Sequence, residues 1–520
     1  MRLIYENATR VLIWIGRAHE DQDELLDWNY DIWGFDRREP GSPDTTRNAF
    51  AFARTIASKL HIEAITVQNT VEGHIAMNRE AFADLSRLLR RSWFERLWTI
   101  QEVVLAKQAA IVCGLQTLPW KVLEDFNRAI YVIITPNLMN PDSFARYGLQ
   151  LGIERVERII DCSRNRSLLG LLHSIQVSPF PQLSVHTTDN RDRLFGLMGM
   201  AQGLVHFEVD YSKETKSVYR AWVTRSIAHG GNLDVLSLCC DTAQYGGPSW
   251  IPELTREINS DGYLAAALHK SSLGPPTTTY RAAGSWLSLA RFTDTLAVGR
   301  LKPDSQPTLH ISVLCLGTIS NLQPVDERMS LDDGQMQQRC HELENLLIRT
   351  GPAFQRGCVS GETFNAKLLH AEFVTTLFRG YHHPRVPHGL ELLYEIWRGR
   401  ADRPPPPNQL TTREHLMLLN FPTLVHGYLS GAQMFTSSAG QFGVISSFCH
   451  VREDDEVFIL RGGKTPFVLR QNGDSSYRLL GPCYVYGTMD GTMFIDGWLE
   501  NREYQLPGSG TGLIREIAIV

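Results

Sequence analysis

Residues 91–106 read RSWFERLWTIQEVVLA, and the apolar run AAIVCG follows at residues 109–114. Within the first stretch, mostly apolar positions recur at helical spacing: Phe94, Trp98, Gln101 or Glu102, and Leu105. This spacing predicts one stripe on a helix that faces a core or a cleft. The wider segment 80–106 has a helical pattern with a break near Ser92, and the run that follows it is strand-like.

A second strand-like run lies upstream. Residues 11–16 (VLIWIG) are mostly β-branched or aromatic and end in glycine, which predicts a buried strand. A polar insert that contains Pro40, Gly41 and Pro43 separates this run from the helix and predicts a loop. Strand, helix and strand in this order predict part of an α/β layer.

Glu102 is the exception on the predicted stripe because it carries a charge. A carboxylate on such a face is paired, neutralised or functional, since burying it alone is expensive. Two interpretations follow. Either Glu102 is a catalytic carboxylate with a perturbed pKa, or it pairs with an arginine or caps backbone amides. Structural ion pairs also perturb pKa values, so the second interpretation is the commoner one for such a residue.

Composition and pattern divide the 520 residues into four predicted regions with an α+β fold overall. They are a partial α/β domain at 1–125, a helical extension at 126–254, a mixed β then helical region at 255–420 with a proline-rich loop at 404–407, and a β-rich, barrel-like module at 421–520. In the helical extension, Asp189 or Asn190 is predicted to cap a helix through Met198. Ser212 is predicted to cap another helix, which stops at Gly230-Gly231.

Short runs predict the strands of the last two regions. They lie at 285–292, 295–301, 308–319, 443–448, 456–461, 466–470 and 483–487. Gly462-Gly463 and Asn472-Gly473 separate the later runs, as hairpin turns do. Helical patterning returns between them, at residues 335–419.

Composition excludes several classes of protein. Hydrophobic residues make up 43% of the chain and charged residues 21%, values typical of soluble globular proteins. A net charge of -5 without a basic stripe argues against nucleic acid as a partner. No apolar run approaches the about 18 residues that span a bilayer, so no membrane association is expected. The nine cysteines lack a CxxC pair, which argues for a reducing compartment.

Three further patterns have a structural interpretation. The stretch RGGKT at residues 461–465 is similar to a phosphate loop, but residue 458 is phenylalanine where a glycine is required, so a hairpin is predicted. His382, His383 and His388 lie in a proline-containing loop without supporting ligand spacing, and no metal site is predicted. The acidic and basic cluster at residues 189–193 is a catalytic acid with basic clamps or, as we favour, a helix start held by short-range ion pairs.

Several motifs occur together along most of the chain. They are ATRVLIWIG at 8–16, residues 91–114, TDNRDRLFGLMGMA at 188–201, VDYS at 209–212, PSWIP at 248–252, PFVLR at 466–470 and LLGPCYVYGTMDG at 479–491. This combination closely resembles the fungal heterokaryon incompatibility (HET) domain family. Segments of the type YxALSYxWG and WIDxxCINQ, which normally open that domain, are not present. The chain is therefore identified as similar to a HET protein that lacks the N-terminal part of its HET domain.

The resemblance implies a fold and a chemistry. HET domains have been compared with Toll/interleukin-1 receptor (TIR) domains, and Trp98–Glu102 is similar to the TIR WCxxE helix. In enzymatic TIR domains that glutamate cleaves NAD between nicotinamide and ribose. By resemblance, Glu102 is the position that would inherit this catalytic role, with NAD as a substrate and no bound cofactor.

The resemblance also implies a biological role. It predicts a cytoplasmic protein of fungal nonself recognition and programmed cell death, which acts through protein partners that include self-association. The segments that are not present leave two alternatives open. One is a non-enzymatic interaction or scaffold protein, and the other is an inactive, truncated relic with an incomplete site.

Overall fold

The computed structural model describes residues 2–17, 43–59, 78–137, 144–176, 185–203, 207–240, 247–254, 282–283, 291–293, 308–323, 333–350, 366–380, 388–400, 406, 409–419, 421–429, 431–473, 476–489, 491, 503–506 and 510–520. The chain forms two compact units. The N-terminal unit spans Met1–Ile175 and Phe180–Gln202, and the C-terminal unit spans Gln176–Pro179 and Gly203–Val520. Helices and mainly antiparallel strands are both present, so the predicted α+β fold is confirmed.

A three-stranded sheet lies in the N-terminal unit. Its strands are β1 (Val11–Trp14), β2 (Ala109–Cys113) and β3 (Gln116–Pro119), in that order. β1 and β2 are parallel and are separated in sequence by helices, as a crossover connection requires. β2 and β3 form an antiparallel hairpin. The predicted strand, helix and strand layer is therefore confirmed.

Helices pack around this sheet. Between Arg2 and Met198 the described helices are α1 (Arg2–Asn7), α2 (Pro43–Ala57), α3 (Arg79–Leu89), α4 (Leu97–Val104), α5 (Trp120–Asn137), α6 (Phe144–Arg164), α7 (Leu168–Gln176) and α8 (Asp192–Met198). The ring of Phe52 on α2 makes edge contacts with Phe82 on α3 and Phe126 on α5, at centroid distances of 6.1 and 6.3 Å. Such aromatic contacts bury large apolar areas and fix the three helices to one another.

The predicted helix break near Ser92 is confirmed. A 3-10 turn at Ser92–Glu95 separates α3 from α4, and Arg96 is extended, with φ -87° and ψ 132°. Because the turn and α4 are separate elements, Phe94 and Trp98 do not share one helix. The prediction of a continuous stripe through both residues is therefore wrong.

Strand β1 departs from its prediction in a second way. Val11 and Ile13 are buried, but Leu12 is 63% exposed and Trp14 is 55% exposed. The strand is confirmed, whereas the prediction that both of its faces are buried is wrong. β1 is at the edge of the sheet order, and successive side chains of a strand point to opposite faces, so helices on one face cover every second residue.

Two predicted helix starts lie earlier than the observed ones. α8 begins at Asp192 rather than after Asp189 or Asn190, and the helix α9 (Thr215–Gly230) begins three residues beyond Ser212. Both stops agree with the sequence, since Gly231 is left-handed at φ 61° and closes α9. Side-chain caps predicted from short polar residues compete with turns that use the same side chains, which explains the displaced starts.

Five further helices follow in the C-terminal unit: α10 (Asp333–Thr350), α11 (Ala366–Leu377), α12 (Gly389–Trp397), α13 (Thr412–Leu419) and α14 (Phe421–Leu429), counted over the described residues. Their aromatic side chains form one buried group, in which the rings of Phe378 and Tyr428 lie 5.1 Å apart. The predicted helical pattern of residues 335–419 is confirmed for the described part. Of the proline run, the structure describes Pro406, which is exposed and irregular.

The remaining strands form one sheet. They are β4 (Arg291–Thr293), β5 (Thr308–Gln323), β6 (Ala432–Ser437), β7 (Phe442–Ser446), β8 (Glu456–Leu460), β9 (Pro466–Gln471), β10 (Tyr477–Val485), β11 (Glu503–Leu506) and β12 (Gly510–Ile519). The pairings β5–β8, β8–β9, β9–β10, β10–β7, β7–β6 and β6–β5 close a ring, which is the connectivity of a barrel. The predicted run at 295–301 lies outside the described residues.

The long strand β5 belongs to this barrel although it lies far upstream. It has 16 residues and pairs with β12, β8 and β6 along its length. The predicted hairpins are confirmed, because β8 pairs antiparallel with β9 across Gly462-Gly463 and β9 with β10 across Asn472-Gly473. The phosphate-loop pattern is thus a strand-to-strand turn. The division into four regions stays a prediction.

Gly443 on β7 shows how closely the barrel strands are packed. A Cβ atom added at this glycine would lie 2.2 Å from the ring of Phe435 on β6. The phenylalanine ring therefore occupies the volume that any other residue would need.

Among the described helices, none combines the length and apolar character required to cross a bilayer.

Candidate functional site

Helix α4 carries Glu102 at the edge of the N-terminal core. The helix is anchored by Leu97, Ile100 and Val103, which are 0%, 3% and 7% exposed. Gln101 is also buried, whereas Glu102 lies one position further round the helix and is half-buried. A rotation of about 100° per residue therefore places the neutral amide inside the core and the carboxylate on its flank.

The indole of Trp93 contacts the Glu102 carboxylate. Trp93 is on the 3-10 turn before α4, and its Nε1 donates a hydrogen bond of 3.2 Å to Glu102 Oε2. Burial raises the pKa of Glu102 above its usual value, while the bond from Trp93 and the nearby charge of Arg96 oppose that shift. The net effect is a carboxylate that holds its proton more readily than a solvated one.

Tyr5 on α1 is a third residue near the Glu102 carboxylate, after Trp93 and Arg96. Burial and the charge of Glu102 both raise the pKa of the Tyr5 phenol. Among the residues that the structure describes, no arginine or lysine forms an ion pair with Glu102 and no backbone amide is capped by it. Tyr5, Trp93, Arg96 and Glu102 form what we call the Glu102 cluster.

This arrangement has a definite chemical capacity. A carboxylate held beside an indole donor and a phenol can stabilise positive charge that develops on a neighbouring ligand, or accept a proton from it. Its raised pKa and its partial exposure are both properties of catalytic carboxylates. The geometry of Glu102 suits such a role, and the catalytic assignment itself stays a prediction.

Helix α8 packs directly on α4, and this brings two of the sequence motifs together. Trp98 Nε1 donates to Asp192 Oδ2 at 3.2 Å, and Gln101 Nε2 donates to the Gly196 carbonyl oxygen at 2.5 Å. A Cβ atom added at Gly196 would lie 3.0 Å from Leu97 Cδ2. A small residue at Gly196 thus permits the close approach of the two helices.

The cluster at residues 189–193 has a structural role within the described residues. Asp189 accepts hydrogen bonds from the backbone and side chain of Arg191, with the closest oxygen 2.6 Å from Arg191 Nη2. These bonds lower the pKa of Asp189. The favoured interpretation, a helix start held by short-range ion pairs, agrees with this geometry, although no side-chain cap forms at Arg191.

Glu95 holds the turn before α4 and was not identified from the sequence. Its Oε1 lies 2.5 Å from Arg155 Nη2 on α6, and Arg155 also donates to the carbonyl oxygen of Arg90. The backbone N–H of His186 donates to the Glu95 carbonyl oxygen at 2.7 Å. The contacts of Trp93, Tyr5 and Glu95 could not be predicted from the sequence. The pattern within one helix contains no information about contacts with other elements.

A second group of titratable side chains lies in the C-terminal unit. His370 on α11 hydrogen-bonds Glu344 on α10 and Glu395 on α12, one through each ring nitrogen. Burial by itself lowers the pKa of His370, but the two glutamates outweigh burial and raise it. Arg400 forms an ion pair with Glu344 at 2.9 Å. The imidazole therefore links three helices through charged hydrogen bonds.

Of the three histidines considered as metal ligands in the sequence, the structure describes His388. His388 Nδ1 lies 3.1 Å from Glu414 Oε1, and Glu414 also accepts from the Thr411 backbone as in a capping box. His382 and His383 lie outside the described residues. Within those that are described, no group of three histidine, cysteine or acidic side chains could hold a metal ion.

Comparison with known proteins finds a family match for the N-terminal part of the chain. Residues 1–102 match the sequence model of the family described as heterokaryon incompatibility protein (HET). This part of the chain is similar to a HET domain. The resemblance predicted from its motifs is therefore confirmed, and the matched residues include β1 and α4 as far as Glu102.

Similarity to an incompatibility protein extends beyond the residues that match the family model. Over 584 aligned residues the chain is 23% identical to heterokaryon incompatibility protein 6, OR allele, of Neurospora crassa. The alignment covers 95% of this chain and 78% of that protein. No solved structure matches the chain. The likeness of the N-terminal part of the chain to TIR domains stays a prediction.

Proposed function

We propose that this protein acts in fungal heterokaryon incompatibility, in which nonself recognition leads to the death of fused cells. Two observations support the proposal. Residues 1–102 match the HET family, and most of the chain aligns with a Neurospora protein named for heterokaryon incompatibility. In this proposal the protein is cytoplasmic and acts through protein partners, with self-association as one such contact.

The proposed chemistry is hydrolysis of NAD at the bond between nicotinamide and ribose. Departure of nicotinamide develops positive charge on the ribose, and an anion placed beside that ring stabilises it. Water then adds to the anomeric carbon, which gives nicotinamide, ADP-ribose and one proton. Glu102 is the anion in this proposal, and the Trp93 indole holds its carboxylate.

The observation that carries the enzymatic part is the environment of Glu102. Its carboxylate is half-buried, has a raised pKa and accepts a hydrogen bond from the Trp93 indole. No cation among the described residues forms a direct ion pair with it, although the charge of Arg96 acts on it at longer range. Such a carboxylate is available to a ligand, in contrast to Glu95, which is paired with Arg155.

An NAD-cleavage assay on the full chain at high protein concentration tests this proposal. Wild type, Glu102→Gln and Glu80→Gln would be compared for release of nicotinamide. Glu80 is an exposed carboxylate on α3 and serves as the matched control. We expect release by wild type and Glu80→Gln, with a loss of at least about 100-fold in Glu102→Gln. Equal rates of release in all three proteins would exclude Glu102 as the catalytic carboxylate, and no release in any of them would favour a non-enzymatic interaction protein.

The biological role needs a separate experiment. The gene would be expressed in a fungal recipient, and fused cells would be scored with a vital dye against unfused cells of the same strain. Death confined to fused cells supports a role in incompatibility. Survival of every fusion partner across a panel of unlike strains would contradict that role, whatever the outcome of the NAD assay.

A further inference from the structure

Two cysteines of the C-terminal unit meet although they are far apart in sequence. Cys240 follows a 3-10 turn at Asp234–Leu238, and Cys449 ends a 3-10 turn at Ser447–Cys449. Their Sγ atoms lie 3.0 Å apart across a separation of 209 residues. Neither residue is in a disulfide in the structure. A disulfide bond is about 2.05 Å long, so closure requires a movement of only about 1 Å.

The backbone on the Cys240 side is held against the barrel. The N–H of Leu233 donates to the Gly462 carbonyl oxygen at 3.1 Å, and Asp234 forms an ion pair with Lys464 at 2.6 Å. These contacts fix the turn that precedes Cys240 on the β8–β9 hairpin. The backbone path toward Cys240 is therefore held by the fold.

The sulfur on the Cys449 side is placed by a glycine. A Cβ atom added at Gly481 on β10 would lie 2.4 Å from Cys449 Sγ. The sulfur of Cys449 thus occupies the space left by the absent side chain at Gly481. Cys449 is 1% exposed, whereas Cys240 is partly exposed and is the sulfur that a small oxidant reaches first.

We propose that Cys240 and Cys449 are an oxidative modification site, at which a peroxide converts the two thiols into a disulfide. The Cys240 thiolate attacks one oxygen of hydrogen peroxide, the O–O bond breaks, and a sulfenic acid and water form. The Cys449 sulfur then attacks the sulfenic sulfur, its thiol proton passes to the departing oxygen, and the S–O bond breaks with loss of a second water. Two thiols and one peroxide give one disulfide and two waters, with the sulfurs oxidised and the peroxide reduced.

The neighbouring cysteines do not share this arrangement. Burial raises the pKa of the Cys239 thiol well above its usual value, and burial likewise raises the pKa of Cys315 to about 11. A thiol that keeps its proton reacts slowly, since the thiolate is the nucleophile. In a reducing compartment a disulfide such as this one is transient and sensing rather than permanent. Its formation would join the segment before Cys240 covalently to the barrel.

Peptide mapping of the full chain tests the site. The purified protein would be treated with graded hydrogen peroxide, alkylated and digested without reduction. We expect a cross-linked peptide that contains Cys240 and Cys449, which dithiothreitol separates. The oxidised protein should also unfold several degrees higher than the reduced protein, because the link closes a long loop.

Two variants make the result specific. Cys315→Ala removes a comparably exposed cysteine and should still form the cross-link, whereas Cys240→Ala should form none and should lose the redox-dependent change in unfolding temperature. Recovery of Cys240 and Cys449 only as separately alkylated or over-oxidised peptides at every peroxide concentration would overturn the proposal. So would pairing of either residue with another cysteine.

Discussion

Replacement of Glu102 by alanine should leave the N-terminal unit folded, with a loss of at most about 1 kcal/mol of unfolding free energy. The substitution removes one hydrogen bond, from Trp93 Nε1 at 3.2 Å. Such a bond contributes about 1 kcal/mol net. The substitution also removes a carboxylate whose charge is disfavoured by burial, as its raised pKa indicates, and this gain offsets part of the loss.

Glu95→Ala is the matched control on the preceding turn. It leaves the guanidinium of Arg155, which is 7% exposed, without its carboxylate partner. Removal of one member of a buried pair costs about 3–5 kcal/mol. Because Glu95 is itself 27% exposed, solvent screens part of the interaction, and we expect a loss near the lower limit, about 3 kcal/mol.

Scanning calorimetry of the full chain measures both effects and separates transitions of the two units. For a unit of about 150–250 residues, each kcal/mol shifts Tm by about 2–4 °C. Glu102→Ala should therefore shift Tm by less than about 4 °C, and Glu95→Ala by about 6–12 °C. Glu102→Gln, which retains an acceptor for Trp93, should shift it least. A shift in Glu102→Ala as large as that in Glu95→Ala would refute the reasoning and make Glu102 a structural charge.

Three other predictions concern packing and protonation. Gln101→Leu should cost about 1–3 kcal/mol because the buried Gly196 carbonyl loses its donor, and urea unfolding measures the loss. Gly443→Ala should destabilise the C-terminal unit strongly or prevent expression, since its Cβ would lie 2.2 Å from a ring; Gly473→Ala, with open space around it, should unfold like wild type. The raised pKa of His370 stabilises the folded protein. This stabilisation is complete below about pH 6.5, the ordinary pKa of histidine, and is lost as the pH rises through the pKa of His370 in the folded state. The urea midpoint of wild type should therefore fall with rising pH across that range, and that of His370→Gln should change less.

Local patterns predicted much of the fold because they depend on neighbouring residues. Helical spacing gave the elements on both sides of the break at Ser92, and glycine pairs gave the hairpins of the barrel. Pairing between distant strands was not predictable in this way. β5 joins β6, β8 and β12 across more than a hundred residues, and nothing in its own sequence names those partners.

The candidate site shows the same division between local and distant information. Glu102 was recognisable as a charge in an apolar pattern, and the motif at residues 188–201 was recognisable by itself. Their proximity was not, because it depends on Trp98 and Gln101 reaching the start and the middle of α8. The burial of β1 was also predicted incorrectly, since an apolar run does not reveal whether its strand is central or at an edge.

Two adjacent residues of α4, Gln101 and Glu102, differ in their contribution to the fold and in their accessibility to a ligand. Gln101 and Glu102 differ by one position, yet the amide is 1% exposed and bonded to α8, while the carboxylate lies on the flank. An uncharged side chain satisfies the core because its desolvation costs less than that of a charge. Gln101 therefore supplies the buried polar contact between α4 and α8. Glu102 forms no ion pair with any described residue. We propose that a carboxylate held by an indole, outside any ion pair among the described residues, serves binding or catalysis. The Tm comparison above and the NAD assay test these two halves of the argument independently.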